Sequence, residues 1–542
     1  MAEISYMKGQ KRKNYQGKKM ALDEILRRAE KAQRNKDLFE SLYRDAYEFA
    51  LPQRQLYGYY DGNSQGAKKM ARVFDSTAIN STQRFANRLQ SGIFPPQRKW
   101  CRLEPGSDIS PQQRDQAQAL LDVWMEKMFT VIKQSNFDIA IGEFLMDMAV
   151  GTACMMVQPG DDVSPINFIP VPMFLVSFEE GANGQVDKVY RRMRMKAEAI
   201  AQQWKDAEFS EHLKNMIATK PTDEMDLMEA TILDYERGDW CYHVICVTGG
   251  KEEIVYRRMA SSPWVISRYA KVAGEIYGRG PLLTALPDIK TLNKTLELLL
   301  KNASLAVAGV YTAADDGVLN PQTVKILPGA IIPVARNGGP QGESLRPLAR
   351  AGDFNVSQIV INDLRQNIKR TLLDESLPPD NMSARSATEV VERMKELAQN
   401  LGSAFGRLIN ETMIPMVSRI IQVMDERGLI DAPLKINGLE VKVSPVAPLA
   451  MAQNMEEINN IMQFMQITAQ FGAEGLMAVK TGDLIDYIGD KLGIPSAIRN
   501  TGAERAFMME EQKKMEMEQQ VTMAMAGQQE ALMKQQGAPL AA

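Results

Sequence analysis

Two long stretches of helical periodicity, separated by an irregular insert, dominate the hydrophobic pattern of the chain. The first stretch covers 282–308 and the second covers 353–373. The insert between the two, 309–352, is rich in Gly and Pro. The sequence therefore predicts two long helices, the first about 40 Å long at about 1.5 Å per residue, joined by a strand-like insert. The apolar residues of the first stretch recur every three or four positions, as on one buried helical stripe: Leu282, Leu286, Ile289, Leu292, Leu296, Leu300, Ala303 and Val307.

Each predicted helix also carries a polar stripe that leans towards basic residues. Periodicity alone favours two core helices of a helical domain whose polar faces are solvated. A functional interpretation of the stripes needs further signals. The stripes consist of Lys290, Lys294, Glu297 and Lys301 on the first helix and of Gln358, Asn362, Arg365 and Lys369 on the second.

Short runs of alternating apolar residues fill the middle of the chain and predict strands, interrupted by a helical segment at 196–219. Helical patterns precede this block at 21–50, 74–89, 112–134 and 137–149. The predicted fold class is therefore α+β, mainly helical. The predicted strands are 153–157, 167–170, 174–178, 186–193, 230–235, 241–247, 253–257 and 264–269.

Beyond the second long helix, an apolar stripe from 386 to 425 contains Pro415, which predicts one kinked helix or two helices. The segment 433–443 is typical of a strand pair around Asn437-Gly438, and helical patterning resumes at Met451. The last stretch, 504–536, consists almost entirely of Met, Gln, Glu and Lys without a firm apolar stripe, so we expect a frayed helix or partial disorder there.

Composition excludes several classes of protein. The chain has 542 residues, of which 45% are hydrophobic and 24% charged, with a formal net charge of −3, so any grip on nucleic acid is expected to be loose. A basic stretch in residues 1–20 is interpreted as a mobile, solvated tail. The sequence predicts neither a signal peptide nor a membrane span.

The sequence predicts no catalytic site and no metal site. No GxxxxGK[ST] string occurs. The pairs Asp161-Asp162 and Asp315-Asp316 are interpreted as solvated turns. Cys241 and Cys246 are expected on opposite faces of one strand, with His243 between them, which disfavours a zinc site. We therefore expect no enzyme activity, no cofactor and no metal.

Four sequence segments, in this order along the chain, resemble the portal (head-to-tail connector) proteins of short-tailed, podovirus-type double-stranded DNA bacteriophages. They are FDSTAINSTQRFANRLQSGIFPPQRKWCRL at 74–103, EIYGRGP at 275–281, SATEVVERM at 386–394 and SPVAPLAMAQ at 444–453. The resemblance covers nearly the whole chain. A helical scaffold or another capsid-associated structural protein without a channel is the competing class.

The resemblance implies a dodecameric ring at one capsid vertex, with duplex DNA passing through its channel. It divides the chain into a mobile tail (1–20), a wing (21–280), a first stem helix (281–308), a clip (309–352), a second stem helix (353–375), a channel loop (376–386), a wing return (387–449), and a crown with a Met- and Gln-rich tail (450–542).

The resemblance also implies partners and site residues. The expected partners are further copies of this chain, loosely bound double-stranded DNA, the terminase packaging motor, tail adaptor proteins, and the major capsid and scaffolding proteins. The implied location is the portal vertex of the virion, after assembly in the host bacterial cytoplasm. The side chains expected at the DNA channel are Lys290, Lys294, Lys301, Arg365, Lys369, Asn381 and Arg385. Those expected to bind partners in the clip are Asp315, Asp316, Asn320, Arg336 and Asn337.

Overall fold

The computed structural model has α-helices and antiparallel strands in the order that the sequence predicts. It describes residues 20–57, 66–96, 98–106, 114–204, 207, 209–248, 250–308, 311–313, 345–347, 354–374, 401–430, 441–472, 479–491, 500 and 502–536.

These residues form α-helices of very different lengths. In chain order they are α1 (Leu22–Ala50), α2 (Thr77–Ile93), α3 (Arg114–Gln134), α4 (Phe137–Val150), α5 (Ala197–Gln203), α6 (Glu211–Thr219), α7 (Pro281–Ala308), α8 (Phe354–Thr371), α9 (Ser403–Arg407), α10 (Ile414–Glu426), α11 (Pro448–Gln470), α12 (Thr481–Lys491) and α13 (Gly502–Gln536).

The strands form antiparallel sheets. In chain order they are β1 (Cys101–Pro105), β2 (Thr152–Pro159), β3 (Ile166–Val171), β4 (Val176–Glu180), β5 (Val186–Lys196), β6 (Glu224–Asp234), β7 (Asp239–Cys246), β8 (Glu252–Met259), β9 (Trp264–Arg268), β10 (Tyr311–Ala313), β11 (Leu345–Pro347) and β12 (Val441–Pro445). The largest sheet is a five-stranded meander, β4-β5-β6-β7-β8, and a three-stranded sheet has the order β3-β2-β9. Two strand pairs, β1-β12 and β10-β11, join segments that are distant in sequence.

The main core surrounds α4, whose side chains pack against α2 and against β2 and β3. Trp100 stacks on Phe137 with 5.8 Å between ring centroids, and Phe94 and Phe168 meet Phe137 edge-on at 6.1 and 5.1 Å. These aromatic residues are all buried. Because β2 is buried along almost its whole length, its sequence is a continuous apolar run rather than an alternating one.

A smaller core lies on the other face of the five-stranded sheet. There the first half of α1 contributes Ile25, Leu26 and Ala29, which pack with Tyr190 of β5 and Ile245 of β7. The meander is therefore covered on both faces. Among the described helices, none combines the length and the apolarity that a bilayer crossing requires.

Both long helices are confirmed, within one residue of the predicted start of α7 and within two residues of both ends of α8. The interruption at Pro415 is also confirmed: a π-helical turn, Leu408–Met413, immediately precedes it. Of the segment 386–425, residues 386–400 lie outside the described residues. The predicted wing, stem, clip and crown boundaries stay predictions.

The structure bears on two expectations about the C-terminal part. Residues 502–536 form one helix, α13, which agrees with the helical alternative expected there, because its residues are strong helix formers. The strand predicted at the end of 433–443 is present as β12, but its described partner is β1, with Leu103 opposite Val443. The preceding residues, 431–440, lie outside the described part.

Candidate functional site: the long helix pair and its anchorage

The start of α7 is fixed by close contact between two backbone segments. Gly280 donates its N–H to the carbonyl of Val150 at 2.9 Å, and Gly278 donates to the hydroxyl of Thr152 at 2.8 Å. A Cβ atom on Gly280 would lie 2.1 Å from the carbonyl oxygen of Ala149. The two glycines of the EIYGRGP segment are therefore required by this contact, because any larger residue would push the backbones apart.

Arg268, at the end of β9, connects four chain segments beneath α7. Its side chain is only 3% exposed, and its guanidinium donates to Glu411 at 2.8 Å, to Glu180 at 2.7 Å and to the carbonyl of Gly184 at 3.0 Å. A longer contact of 3.4 Å reaches the carbonyl of Ile276, just before α7. Burial opposes the charge of Arg268, but Glu411 and Glu180 outweigh it and raise its pKa.

Glu411 belongs to the π-helical turn that precedes Pro415. Ile414 donates its N–H to the carbonyl of Ile409, five residues earlier, as a π turn requires. Proline has no N–H and clashes with a carbonyl four residues back, so Pro415 accounts for the local widening of the helix. The turn holds Glu411 against both the backbone N–H and the side chain of Arg268. The C-terminal helices are thus connected to the base of α7.

The segment that precedes α2 binds α8 through a buried carboxylate. Asp75 accepts both Nε and Nη2 of Arg365, at 3.0 and 2.7 Å, and also accepts the N–H of Thr77 at 2.7 Å. Burial by itself would raise the pKa of Asp75, but the donors of Thr77 and Arg365 hold it below its ordinary value. Arg365 is therefore committed to a structural ion pair between α8 and α2.

The end of α8 is held by a second buried carboxylate, Asp374. It accepts the hydroxyl of Ser81 at 2.7 Å and the guanidinium of Arg84 at 3.3 Å. Leu373 beside it has a φ of +55°, a conformation that costs roughly 1–2 kcal/mol for a residue with a Cβ. The contacts of Asp374 and a hydrogen bond from Arg88 to the carbonyl of Leu373 hold this conformation in place.

Asn293 connects α7 to the same N-terminal segment. Its Oδ1 accepts the N–H of Phe74 at 2.7 Å, and its Nδ2 donates to the carbonyl of Arg72 at 2.7 Å. Sequence reasoning missed Asn293, Asp75 and Asp374. A signal was present for Asn293, because a polar residue four positions after Ile289 falls on the buried stripe of the helix.

An open groove of about 740 Å³ lies beside this connection, between the end of α1, residues 71–74 and α7. Three cations around the groove each face a carboxylate. Arg72 pairs with Glu48 at 2.9 Å, Lys290 with Asp45 at 2.6 Å and Lys294 with Glu297 at 2.9 Å. The groove is therefore lined by charged side chains that are already neutralised within the chain.

The structure thus gives different surroundings to the side chains predicted at the channel. Lys294 and Lys301 share Glu297, while Lys290 and Arg365 reach across to other elements. Lys369 is exposed on α8, and within the described residues no carboxylate pairs with it. The remaining predicted site residues lie outside the described residues: Asn381, Arg385, Asp315, Asp316, Asn320, Arg336 and Asn337.

Large apolar side chains are exposed on both long helices. Leu298 and Leu300 of α7 and Ile359 and Val360 of α8 are between 44% and 62% exposed. The two helices pack on each other and on α1 and α2, so these side chains lie on surfaces that the described chain leaves uncovered. Neighbouring exposed apolar residues of this kind mark interaction surfaces.

Within the described residues, no group of three or more His, Cys, Asp or Glu side chains is placed to hold a metal ion. His243 makes a 2.7 Å hydrogen bond with Glu253 on the neighbouring strand. Asp161 accepts the N–H groups of Val163 and Ser164, as in the predicted solvated turn.

Comparison with known proteins identifies the family of the chain. It is 24% identical over 535 residues to the "Probable portal protein" of Bordetella phage BPP-1. The aligned region covers 93% of this chain and 91% of that relative. It is 21% identical over 505 residues to the "Portal protein" of Salmonella phage epsilon15, covering 88% of each chain.

Among solved structures, this chain is similar to a chain of the virion of a native gene transfer agent particle, with 13% identity and a TM-score of 0.32. The similarity covers 77% of this chain and 90% of that chain. The sequence profile described as "Bacteriophage head to tail connecting protein" matches residues 22–499, so the chain belongs to that family.

Proposed function

We propose that this chain is the portal subunit of a short-tailed, podovirus-type bacteriophage. As a component of the virion at the portal vertex, it forms the conduit for double-stranded DNA during genome packaging and ejection. The observation that carries the proposal is the family match over 22–499, together with portal proteins that align along nearly the whole chain.

In this proposal the subunit forms a closed, dodecameric ring. The exposed apolar side chains on α7 and α8 support ring formation, because they need a cover that the described chain does not supply. A contact between two different surfaces of identical subunits, repeated around an axis, closes into a ring when the rotation allows it.

The two long helices then form the stem, and the insert between them forms the clip. The clip would dock the terminase motor during packaging and the tail adaptors afterwards, through Asp315, Asp316, Asn320, Arg336 and Asn337. The stem would present Lys294, Lys301 and Lys369 towards the DNA, and the channel loop 376–386 would add Asn381 and Arg385. Because these contacts are to phosphates, they position DNA without reading its sequence. Lys290 and Arg365, also expected at the channel from the sequence, would instead hold the stem to α1 and to the start of α2 through Asp45 and Asp75.

The proposal is tested by purifying the full chain without DNA or nucleotide. Native mass spectrometry at micromolar concentration should give a single large oligomer, and electron microscopy should show rings with a central hole. Monomers and dimers alone would contradict ring formation. Closed shells or irregular aggregates would instead favour a scaffold or another capsid-associated protein.

A further inference from the structure

One face of α7 carries a carboxylate between two lysines. Glu297 accepts Lys294 at 2.9 Å, three residues before it, and Lys301 at 2.6 Å, four residues after it. The two lysine side chains are 63% and 64% exposed, whereas that of Glu297 is 21% exposed. The carboxylate is thus screened by two cations that remain accessible from solvent.

Structural support of α7 does not account for this arrangement. Lys290 binds Asp45 of α1 and Arg365 binds Asp75 beside α2, so those two pairs hold separate elements together. Both partners of Glu297 lie on the helix of Glu297 itself. Exposed pairs of this type contribute little to the stability of a helix.

Glu297 changes the charge that this face of α7 presents to solvent. Hydrogen bonds from Lys301 and Lys294 lower the pKa of Glu297 to about 2, so the carboxylate is ionised at any physiological pH. It occupies the ammonium groups with an anionic oxygen acceptor, as a DNA phosphate would. The face therefore carries one net positive charge instead of two.

We propose that Glu297 competes with DNA phosphates for Lys294 and Lys301 and thereby keeps the grip of α7 on duplex DNA weak. This inference rests on the proposed portal function, in which α7 lines the channel. A conduit needs positive charge to guide DNA, but firmly bound phosphates would resist sliding. An internal carboxylate that each passing phosphate must displace meets both requirements.

The cations that line the groove beside α7 are likewise paired with carboxylates of the same chain. Arg72 and Lys290, which line it together with Lys294, are also paired within the chain, with Glu48 and Asp45. Those carboxylates lie on α1, so removing either would disturb the packing of α1 as well as the charge. Glu297 is therefore the carboxylate whose removal tests the charge alone.

The test compares wild-type rings with Glu297→Gln rings, using a labelled linear duplex of about 30 base pairs over about 50–200 mM salt. The variant should bind the duplex about tenfold more tightly at the lowest salt. Each phosphate newly contacted should steepen the dependence of log K on log salt by about 0.9. Adding Lys294→Gln and Lys301→Gln to the variant should abolish the gain.

Glu211→Gln is the matched control, because Glu211 pairs with Lys214 at 3.1 Å on α6, another exposed pair within one helix. It makes the same change of net charge and should leave DNA binding unchanged. An equal gain in this control would overturn the proposal, since the effect would then be general electrostatics. Unchanged binding by Glu297→Gln in rings that do bind DNA would overturn the role of Glu297 and leave the portal function standing.

A closed circular duplex separates the channel from the outer surface, because it cannot thread a preformed ring. The gain should appear with linear DNA and be absent with circular DNA. A gain on both would overturn the placement of the lysines in a channel. If neither wild-type nor variant protein forms rings that bind linear DNA, the inference and the portal function fail together.

Discussion

The base of α7 encloses a charged side chain that is paired within the chain, whereas the outer half of the α7–α8 pair leaves apolar side chains exposed. At the base, the buried charge of Arg268 finds Glu411 and Glu180, residues 143 and 88 positions away in sequence. Further out, Leu300 and Ile359 remain 53% and 62% exposed. Charged groups are thus enclosed by the chain itself in one region, while apolar groups are left in solvent in the other.

This contrast indicates which region of the subunit is stable by itself and which region needs contact with neighbouring subunits. The body around α4 and the sheets encloses a large apolar core and the charge of Arg268, and only scattered apolar side chains such as Leu38 and Ile139 are exposed at its surface. It should therefore be stable as a single subunit. The outer helix pair gains stability only when another surface covers it. Substitutions in the body should therefore change the stability of the subunit, and substitutions on the helix pair should change the assembly of the proposed ring.

The largest expected effect follows from removing Arg268. Arg268→Ala would leave the half-buried carboxylates of Glu411 and Glu180 with only Arg407 and Lys271 as partners. Breaking a buried ion pair by removing one member costs about 3–5 kcal/mol, and the remaining partners should keep the loss at the lower end of that range. Urea unfolding of the isolated subunit should show a loss of that size.

Arg194→Ala is the control for that experiment. Arg194 of β5 pairs with Asp226 of β6 at 2.9 Å, but the side chain of Arg194 is 38% exposed. The loss should stay below about 1 kcal/mol, since exposed ion pairs contribute little. Equal losses in the two variants would mean that the cluster under α7 does not hold the body together.

A second effect in the body depends on pH. Lys36 of α1 is buried and donates to the carbonyls of Phe174 at 2.5 Å and Met173 at 3.4 Å. Burial lowers its pKa to about 8 from an ordinary value of 10.5. Between these two values the unfolded chain binds more protons than the folded one, so the free energy of unfolding rises with pH across this window.

Comparison with Lys36→Met isolates this titration, because methionine fills similar space and carries no proton. From pH 8 to pH 10.5, the stability of the wild type relative to the variant should increase by about 3 kcal/mol, at about 1.36 kcal/mol per unit of pKa shift. A difference that stays constant over this range would show that Lys36 is not buried as described.

The sequence predicted the parts of this architecture that depend on local spacing. The range of α7 could be read from apolar residues three and four positions apart, because that spacing is a property of one helix. The glycines of EIYGRGP were visible as a motif, but the reason for them was not. Their partners, Val150 and Thr152, lie about 130 positions earlier in the chain, and no local pattern connects the two segments.

The same limit applies to the polar contacts of the candidate site. The lysines of α7 were predicted from their stripe, but whether each one faces a carboxylate of its own helix or of another element depends on tertiary packing. Asp45 and Asp75 are 245 and 290 positions away from the cations they bind. Glu297 is the exception, since its spacing to Lys294 and Lys301 was visible in the sequence.

The smallest expected effect on the subunit is also the sharpest test of the comparison. Leu300→Ser combined with Ile359→Ser should change the unfolding free energy of the subunit by less than about 0.5 kcal/mol, because both side chains are exposed. Ring assembly should nevertheless require at least tenfold more protein, since covering each apolar side chain is worth roughly 1.5–3 kcal/mol. Native mass spectrometry over a dilution series measures the shift.

Leu38→Ser is the matched control, because Leu38 of α1 is 80% exposed but lies in the body. If the double variant forms rings at the wild-type concentration, the outer helix pair does not form the subunit contact. If it loses several kcal/mol of subunit stability, the two regions do not differ in the way described.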